Sequence, residues 1–337
     1  MGRPPAGGKA EELTRSAPAE DATRAHHRTD RLPARRRFDE VECTVSHLLR
    51  FPHPALRGRR YGEALLQGLA GRGTGPGPEG VLEIGGGAGH LAEAAWRGEA
   101  GPFTGSRWTS IDLSPALLGT QRRRLLALGA DAAAVPRGAH TRWSGVRADA
   151  VALPLRSGSF RGLVLGNEML ADLPVRDCVC AGAMQLVREV ARVLRPGGAA
   201  AFTEFGGDFP PAAIELTDGT RAGEHTEWSI DFRQLRAAAA ECRLEVEELP
   251  LHELLDADLS VRCASYTDLW RLRRFARCEV FAAPENEVRR RFPWLSRLLL
   301  LELPPLGSPR WPDALARGGF AQLFHALILR QRGPVSA

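Results

Sequence analysis

Residues 81–89, Val-Leu-Glu-Ile-Gly-Gly-Gly-Ala-Gly, constrain the fold of this chain more than any other stretch. Val81 and Leu82 read as a strand and Leu91 to Trp96 as a helix, with glycines at 85, 87 and 89 between them. Residues without a Cβ tolerate positive φ and let the backbone come close to a ligand. A strand that stops in such a loop and continues as a helix therefore points to a nucleotide-type site. The spacing is G-x-G-x-G behind an acid, Glu83, whereas the dinucleotide fingerprint G-x-G-x-x-G places its third glycine one residue later.

The strands that follow end in acids. A second strand, Trp108 to Ile111, stops at Asp112, about 20 to 30 residues after the loop, where an open α/β sheet places an acid for ribose hydroxyls. Ser114 and Pro115 read as N-cap and first helical residue of a helix over Ala116 to Leu128. A third run, Val146 to Ala150, carries Asp149, and Leu163 to Leu165 forms a fourth apolar strand. Singly, Asp112 and Asp149 are better explained as helix caps or strand-end polar residues. Their joint spacing behind the glycine loop favours a cofactor site.

In this order and spacing the elements resemble the class I S-adenosylmethionine (SAM) methyltransferases. The resemblance implies an α/β fold: a Rossmann-like seven-stranded sheet, here with N-terminal helices and a helical insertion before the last strand. It also implies SAM as cofactor, with Glu83 near the methionine portion and Gly85, Gly87 and Gly89 passing under the ribose. Asp149 then receives the adenine amino group, and the backbone N–H of Ala150 meets a ring nitrogen. The segment Val187 to Gly198, Val-Arg-Glu-Val-Ala-Arg-Val-Leu-Arg-Pro-Gly-Gly, resembles the same class; its plain structural role is to pack a helix onto the sheet.

Further along, Leu186 to Leu194 reads as a helix closed by Pro196-Gly197-Gly198, and Ala199 to Thr203 as a fifth strand ending at Glu204. Phe232 to Ala240 reads as a helix, Leu244 to Val246 as a sixth strand, and alternation within Ala321 to Arg330 as an antiparallel seventh. The expected organisation is a disordered basic arm (1–37), an N-terminal helical segment and linker (38–78), a SAM-binding core (79–250), a helical insertion on the substrate side (251–320), and the last strand and tail (321–337). Helical spacing over Phe38 to Leu49 and over Tyr61 to Leu69 supplies the N-terminal helices.

With 337 residues, 44% of them hydrophobic, the chain has enough apolar surface for a substantial core. Its longest apolar run falls far short of the roughly 20 residues that span a bilayer, and its first residues lack a charged region followed by an apolar one. A cytoplasmic location is the expectation, with no membrane partner. The six cysteines are scattered, with one C-x-C pair, so reduced thiols and no metal cluster are expected. The net charge of +5 includes the run Arg35-Arg36-Arg37. Without interleaved aromatics that run reads as a solvated tail, and nucleic acid is not an expected partner.

Methyl transfer asks little of the protein: a nucleophile held in line with the sulfonium methyl and, where needed, removal of its proton. Ligands in open α/β sheets bind outside the carboxyl ends of the strands, and the fourth strand here leads into Asn167-Glu168-Met169-Leu170-Ala171-Asp172-Leu173-Pro174-Val175. That segment resembles the MidA-like family, which includes the mitochondrial complex I assembly arginine methyltransferase. Tyr61-Gly62-Glu63, Ser114 to Leu117 with Gln121, and His225 to Phe232 add weaker likenesses.

The resemblance places Asn167 at the cofactor and implies a protein or peptide acceptor, arginine among the possibilities. Glu168 suits a guanidinium, which a carboxylate binds bidentately; as a charge at a helix start it is equally well explained. Two other readings stay open. One is O- or N-methylation of a small metabolite or peptide carboxylate, with His225 as general base for an oxygen nucleophile. The other is a SAM-binding assembly factor without turnover. Glu204, Glu227 and Asp231 either complete an acidic pocket or serve as strand-end and capping residues, the structural reading being favoured for each.

Overall fold

The computed structural model describes residues 52, 56–97, 100–130, 143–211, 213–217, 224–258 and 324–332. The arm over 1–37, the helix expected over Phe38–Leu49 and most of the insertion before the last strand lie outside the described residues. In chain order the described elements are α1 (Tyr61–Gly71), β1 (Val81–Ile84), α2 (His90–Trp96), β2 (Trp108–Asp112), α3 (Pro115–Ala130), β3 (Trp143–Arg147), β4 (Leu163–Asn167), α4 (Ala181–Val193) and β5 (Ala199–Gly207). They continue with β6 (Ala213–Thr217), β7 (Glu224–Trp228), β8 (Ile230–Asp231), α5 (Phe232–Glu241), β9 (Leu244–Pro250), α6 (Leu251–Leu254) and β10 (Phe324–Gln331). Short 3₁₀ turns occupy Gly101–Phe103 and Leu170–Asp172.

The sheet runs β3-β2-β1-β4-β5-β10-β9. Strands β1 to β5 are mutually parallel, and β10 inserts antiparallel between β5 and β9. This is the expected Rossmann-like path of seven strands, with the short β8 added alongside the far end of β5. Crossing from β1 to β4 on one side and to β2 on the other makes β1 the switch point, so the loop after β1 opens into the crevice where such sheets bind ligands.

Alternation along the strands divides the core into two layers. Val81, Trp108, Leu163, Leu165, Ala201, Ala326 and Ile328 face α1, α2 and the end of α3, where Leu65, Leu69, Trp96 and Leu125 are buried. Leu82, Ile84, Ile111, Val164, Ala200, Phe202, Leu327 and Leu329 face α4 and α5, through Leu186, Val190, Leu235 and Ala239. Strands covered on both faces read as continuous apolar runs, and Glu83 in β1 and Glu204 in β5 are buried acids that break the pattern.

Small residues set how closely the layers approach. A Cβ on Gly62 would lie 2.7 Å from the Cβ of Ala94, and one on Gly68 would lie 1.9 Å from the carbonyl oxygen of Leu254. Glycine at these two positions lets α1 seat against both α2 and α6. Ser114 caps α3 as expected, accepting the Leu117 N–H at 3.2 Å. Asp231 caps α5, accepting the Arg233 N–H at 3.1 Å, which matches its structural reading.

Several boundaries differ from the sequence reading: β3 spans Trp143–Arg147, ending short of Asp149, and β9 runs on to Pro250. Helix α4 begins at Ala181 rather than Leu186, because its first turn is built of small residues; a Cβ on Gly182 would sit 2.5 Å from Pro174 Cδ. Strand β5 does not end at Glu204. It runs to Gly207, held by β10 on one side and β8 beyond it. The β6–β7 hairpin is an addition that the sequence reading leaves unassigned. No helix among the described residues is long and apolar enough to cross a membrane.

Candidate functional site

The loop after β1 is built on positive φ. Gly85, Gly87 and Gly89 have φ of +66°, +49° and +83°, values that L side chains rarely adopt. The alternate glycines thus bend the chain through left-handed conformations, ending at Gly89, the N-cap of α2. Gly85 N–H donates to Ile111 O at 2.9 Å, and Gln121 Nε2 on α3 donates to Gly87 O at 3.0 Å. A Cβ on Gly86 would lie 2.5 Å from Glu83 Oε2, so the loop also rests on that carboxylate.

Glu83 is 1% exposed. Its Oε2 accepts the Trp108 indole N–H at 2.7 Å and the Ser110 hydroxyl at 3.2 Å, both from β2. Burial pushes its pKa up to about 7, against the lowering effect of those two donors, and the charge of nearby Asp112 adds to the rise. The acid expected near the methionine portion therefore lies under the loop, bonded into the sheet.

Asp112 closes β2 and is buried; its Oδ1 accepts the Ser114 N–H at 2.8 Å. Its carbonyl accepts the Ala148 N–H at 3.2 Å, which draws the end of β3 alongside. Two residues past β3, Asp149 folds a tight turn: Oδ1 accepts the Val151 N–H at 3.1 Å, and its carbonyl accepts the Ala152 N–H at 3.1 Å. Ala150, within that turn, is buried.

The carboxyl end of β4 holds a tighter cluster. Asn167 Oδ1 accepts from the Tyr61 phenol and from Thr203 Oγ1, each at 2.7 Å, while Asn167 Nδ2 lies 3.4 Å from Glu168 Oε1. Tyr61 is fully buried, and burial together with the charge of Glu168 raises its pKa well above the usual phenol value, so it remains a donor. Glu168 has φ of +49°, and its N–H donates to Thr203 O at 2.8 Å. A non-glycine residue held at positive φ stores backbone strain of the kind that gathers at functional sites. Glu168 is therefore not the first-turn charge of an α-helix: it bends the chain ahead of the 3₁₀ turn Leu170–Asp172.

Around this centre the remaining residues separate. Glu204, buried within β5, accepts the N–H of Ala171 at 3.0 Å through Oε2 and of Phe205 at 3.0 Å through Oε1, so it fastens the turn after Glu168. His225 and Glu227 lie on β7, opposite Leu216 and Ile214 of β6, and β7 runs beside the Leu170–Asp172 turn. The backbone of β7 is described but those side chains are not. A Cβ on Gly85 would stand 3.0 Å from Met169 Cβ, so the glycine loop and the residue after Glu168 are in contact. The structure thus gathers the loop, Asn167 and Glu168, with Asp112 and Asp149 at the adjoining strand ends.

Tyr61 and Thr203 are the members of this cluster whose partners the sequence does not reveal. Among the described residues, no group of three His, Cys, Asp or Glu side chains is arranged to hold a metal ion.

Residues 82–202 match the family model described as a methyltransferase domain. No curated protein matches the chain. Among solved structures, the chain is similar to the cyclase SpnF at 16% identity, covering 81% of each chain with a TM-score of 0.45. It is similar to the glycopeptide N-methyltransferase MtfA complexed with SAM at 20% identity, covering 56% of this chain and 86% of that one, with a TM-score of 0.40. A third is phosphoethanolamine N-methyltransferase 2 of Haemonchus contortus, in complex with SAM, at 14% identity over 81% of this chain and 53% of that one, TM-score 0.44. Residues 82–202 are a methyltransferase domain, and SAM is its cofactor.

Proposed function

We propose that this chain transfers the methyl group of SAM to a nitrogen acceptor on a protein or peptide, an arginine side chain being the leading candidate. The observation that carries this reading is the placement of Glu168: a carboxylate at positive φ beside Asn167, at the carboxyl end of the central strand β4 and in the neighbourhood of the glycine loop.

The residues present fit SAM. Positive φ at Gly85, Gly87 and Gly89 bends the loop without side chains, and the space a Cβ would take at 85 and 89 is held by Met169 and Gln121. Asp112 ends β2, and Asp149 lies in the turn two residues past the neighbouring β3, so both stand at the same edge of the sheet as the loop. In this assignment the glycines and Glu83 underlie the ligand, Asp112 meets the ribose, Asp149 and the Ala150 N–H meet the purine, and Asn167 borders the reacting end. SAM supplies a methyl group on sulfonium sulfur, already activated toward a nucleophile.

The protein's own task is then to orient the acceptor and balance its charge. Tyr61 and Thr203 both donate to Asn167 Oδ1, which turns the amide nitrogen toward Glu168. A carboxylate so held can bind two N–H groups of a guanidinium and fix the direction of the third nitrogen. The likeness of residues 167–175 to the MidA-like motif supports the same acceptor class.

A second reading keeps the cofactor half and changes the acceptor: an oxygen or nitrogen of a small metabolite, with His225 as base. The position of β7 beside the Leu170–Asp172 turn favours it. The test is incubation with methyl-labelled SAM and a panel of peptides bearing arginine, lysine or free carboxylates, together with small hydroxy acids. Label in the arginine peptides that disappears in Glu168→Gln supports the proposal. Label confined to hydroxyl or carboxylate acceptors overturns it.

A further inference from the structure

The segment 187–198 does more than pack a helix against the sheet. Glu189 and Arg192, one turn apart on α4, reach the loop that follows Asp149 and Ala150. Glu189 Oε2 accepts the Leu153 N–H at 2.9 Å. Arg192 Nη2 donates to Leu153 O at 2.9 Å and to Glu189 Oε2 at 2.7 Å. Its Nη1 donates to Leu155 O at 2.8 Å and to Ser157 Oγ at 3.5 Å, and its Nε to Glu189 Oε1 at 2.9 Å. A guanidinium has five N–H groups, and these five contacts use them all. An ammonium, with three donors and no fork, cannot repeat the pattern.

Leu153 is thereby held at both its N–H and its carbonyl, and its side chain is buried in the core. The residue before it, Ala152, is tied by its own N–H to the carbonyl of Asp149. From Asp149 to Leu155 the chain is a closed turn joined directly to a fixed point on α4. Past Ser157 the contact continues, with Gly158 N–H donating to Arg192 O at 2.8 Å. Glu189 stays ionised as an acceptor because Arg192, bonded to its carboxylate, holds its pKa below the usual value.

We propose that Glu189 and Arg192 are positioning residues of the cofactor site, fixing the turn that presents Asp149 and the Ala150 N–H to the purine and so setting the preference for adenine. The inference rests on the assignment of Asp149 and Ala150 under Proposed function. Neither side chain touches the ligand in this scheme; each acts through Leu153.

The test is calorimetric binding of S-adenosylhomocysteine and of S-inosylhomocysteine, which carries a 6-oxo group in place of the 6-amino group. The proteins are the wild type and Arg192→Met, Arg192→Lys and Glu189→Gln, each checked for a cooperative melt. Arg192→Lys and Glu189→Gln preserve the measurement should Arg192→Met fail to fold. The wild type should prefer the adenine ligand by about tenfold or more, the scale of one hydrogen bond to a bound group. In the variants that preference should shrink by about threefold or more, through loss of adenine affinity.

A purely structural pair lowers the melting temperature and leaves the preference unchanged, and that result overturns the inference alone. A wild type with no adenine preference, or with no binding of either ligand, overturns the purine assignment and the inference together.

Discussion

The phenol of Tyr61 donates to Asn167 Oδ1 at 2.7 Å across 106 positions of sequence. Thr203 Oγ1 donates to the same oxygen from the neighbouring strand. With both hydroxyls directed at Oδ1, the amide has one orientation that satisfies the cluster, and its nitrogen faces Glu168. A helix outside the sheet thus sets a side chain at the centre of the site.

Tyr61→Phe keeps the buried ring and removes the donor. The expected loss of stability is about 1 kcal/mol, the scale of one hydrogen bond, measurable by urea denaturation. SAM affinity should stay within about twofold of wild type, whereas methyl transfer should fall several-fold because Asn167 and Glu168 lose their fixed relation. Transfer at the wild-type rate would show that the amide needs no second donor.

Glu83 gives the protein a pH signature. Its folded pKa, about 7, lies above the ordinary carboxylate value of 4.5. Below pH 4.5 it is protonated in both folded and unfolded chains and costs nothing. As pH rises from 4.5 to about 7 the unfolded chain ionises first, so stability falls, reaching a full cost on the order of 3 kcal/mol above pH 7. Glu83→Gln keeps an oxygen for Trp108 and Ser110 and has no charge. Its stability relative to wild type should therefore climb between pH 4.5 and 7 in parallel denaturation series. A difference that stays flat across that range would place the titration elsewhere.

What was legible in the sequence follows from how local each signal is. The glycine loop declares itself because a left-handed backbone at residues 85, 87 and 89 selects for glycine directly. The strands are legible as apolar runs that end at Asp112 and Asn167 and as alternation in β10, whereas their arrangement in one sheet is what the methyltransferase resemblance implies. Glu204 reads as a strand end because a carboxylate inside a parallel sheet contradicts the apolar pattern. Only the fold reveals that the N–H groups of Ala171 and Phe205 occupy its two oxygens.

Nothing local connects Tyr61 to Asn167, or Arg192 to the carbonyls of Leu153 and Leu155. Those pairings arise from how α1 and α4 dock. The β6–β7 hairpin joins Thr217 to Glu224 across six residues, too long for the two-residue turn signals that a sequence shows most directly.

Substitutions in the loop and at the end of β2 test the cofactor half. Gly87→Val places a β-branched residue at φ of +49°, where strain and bulk both act against the ligand, and SAM binding should be lost. Asp112→Ala removes the ribose acceptor together with the bond from Ser114 N–H, and should weaken SAM binding by about 1 to 3 kcal/mol. Calorimetry on both variants, after circular dichroism confirms folding, is the measurement. Unchanged affinity in both would remove the loop and Asp112 from the site.

The acceptor is decided by comparing Glu168→Gln with His225→Asn. Glu168→Gln retains size and shape at the strained position but loses the charge that balances a cationic acceptor. Single-turnover transfer from labelled SAM to an arginine peptide should then fall by about tenfold or more, with SAM affinity near wild type. His225→Asn should leave that reaction unaffected, since the Glu168 carboxylate that holds the guanidinium can accept the proton its methylated nitrogen gives up. With an oxygen acceptor the pattern reverses, and His225→Asn is then the damaging change because it removes the base. Wild-type rates in both variants, with either acceptor, would remove Glu168 and His225 from the transfer step while leaving the cofactor site as described.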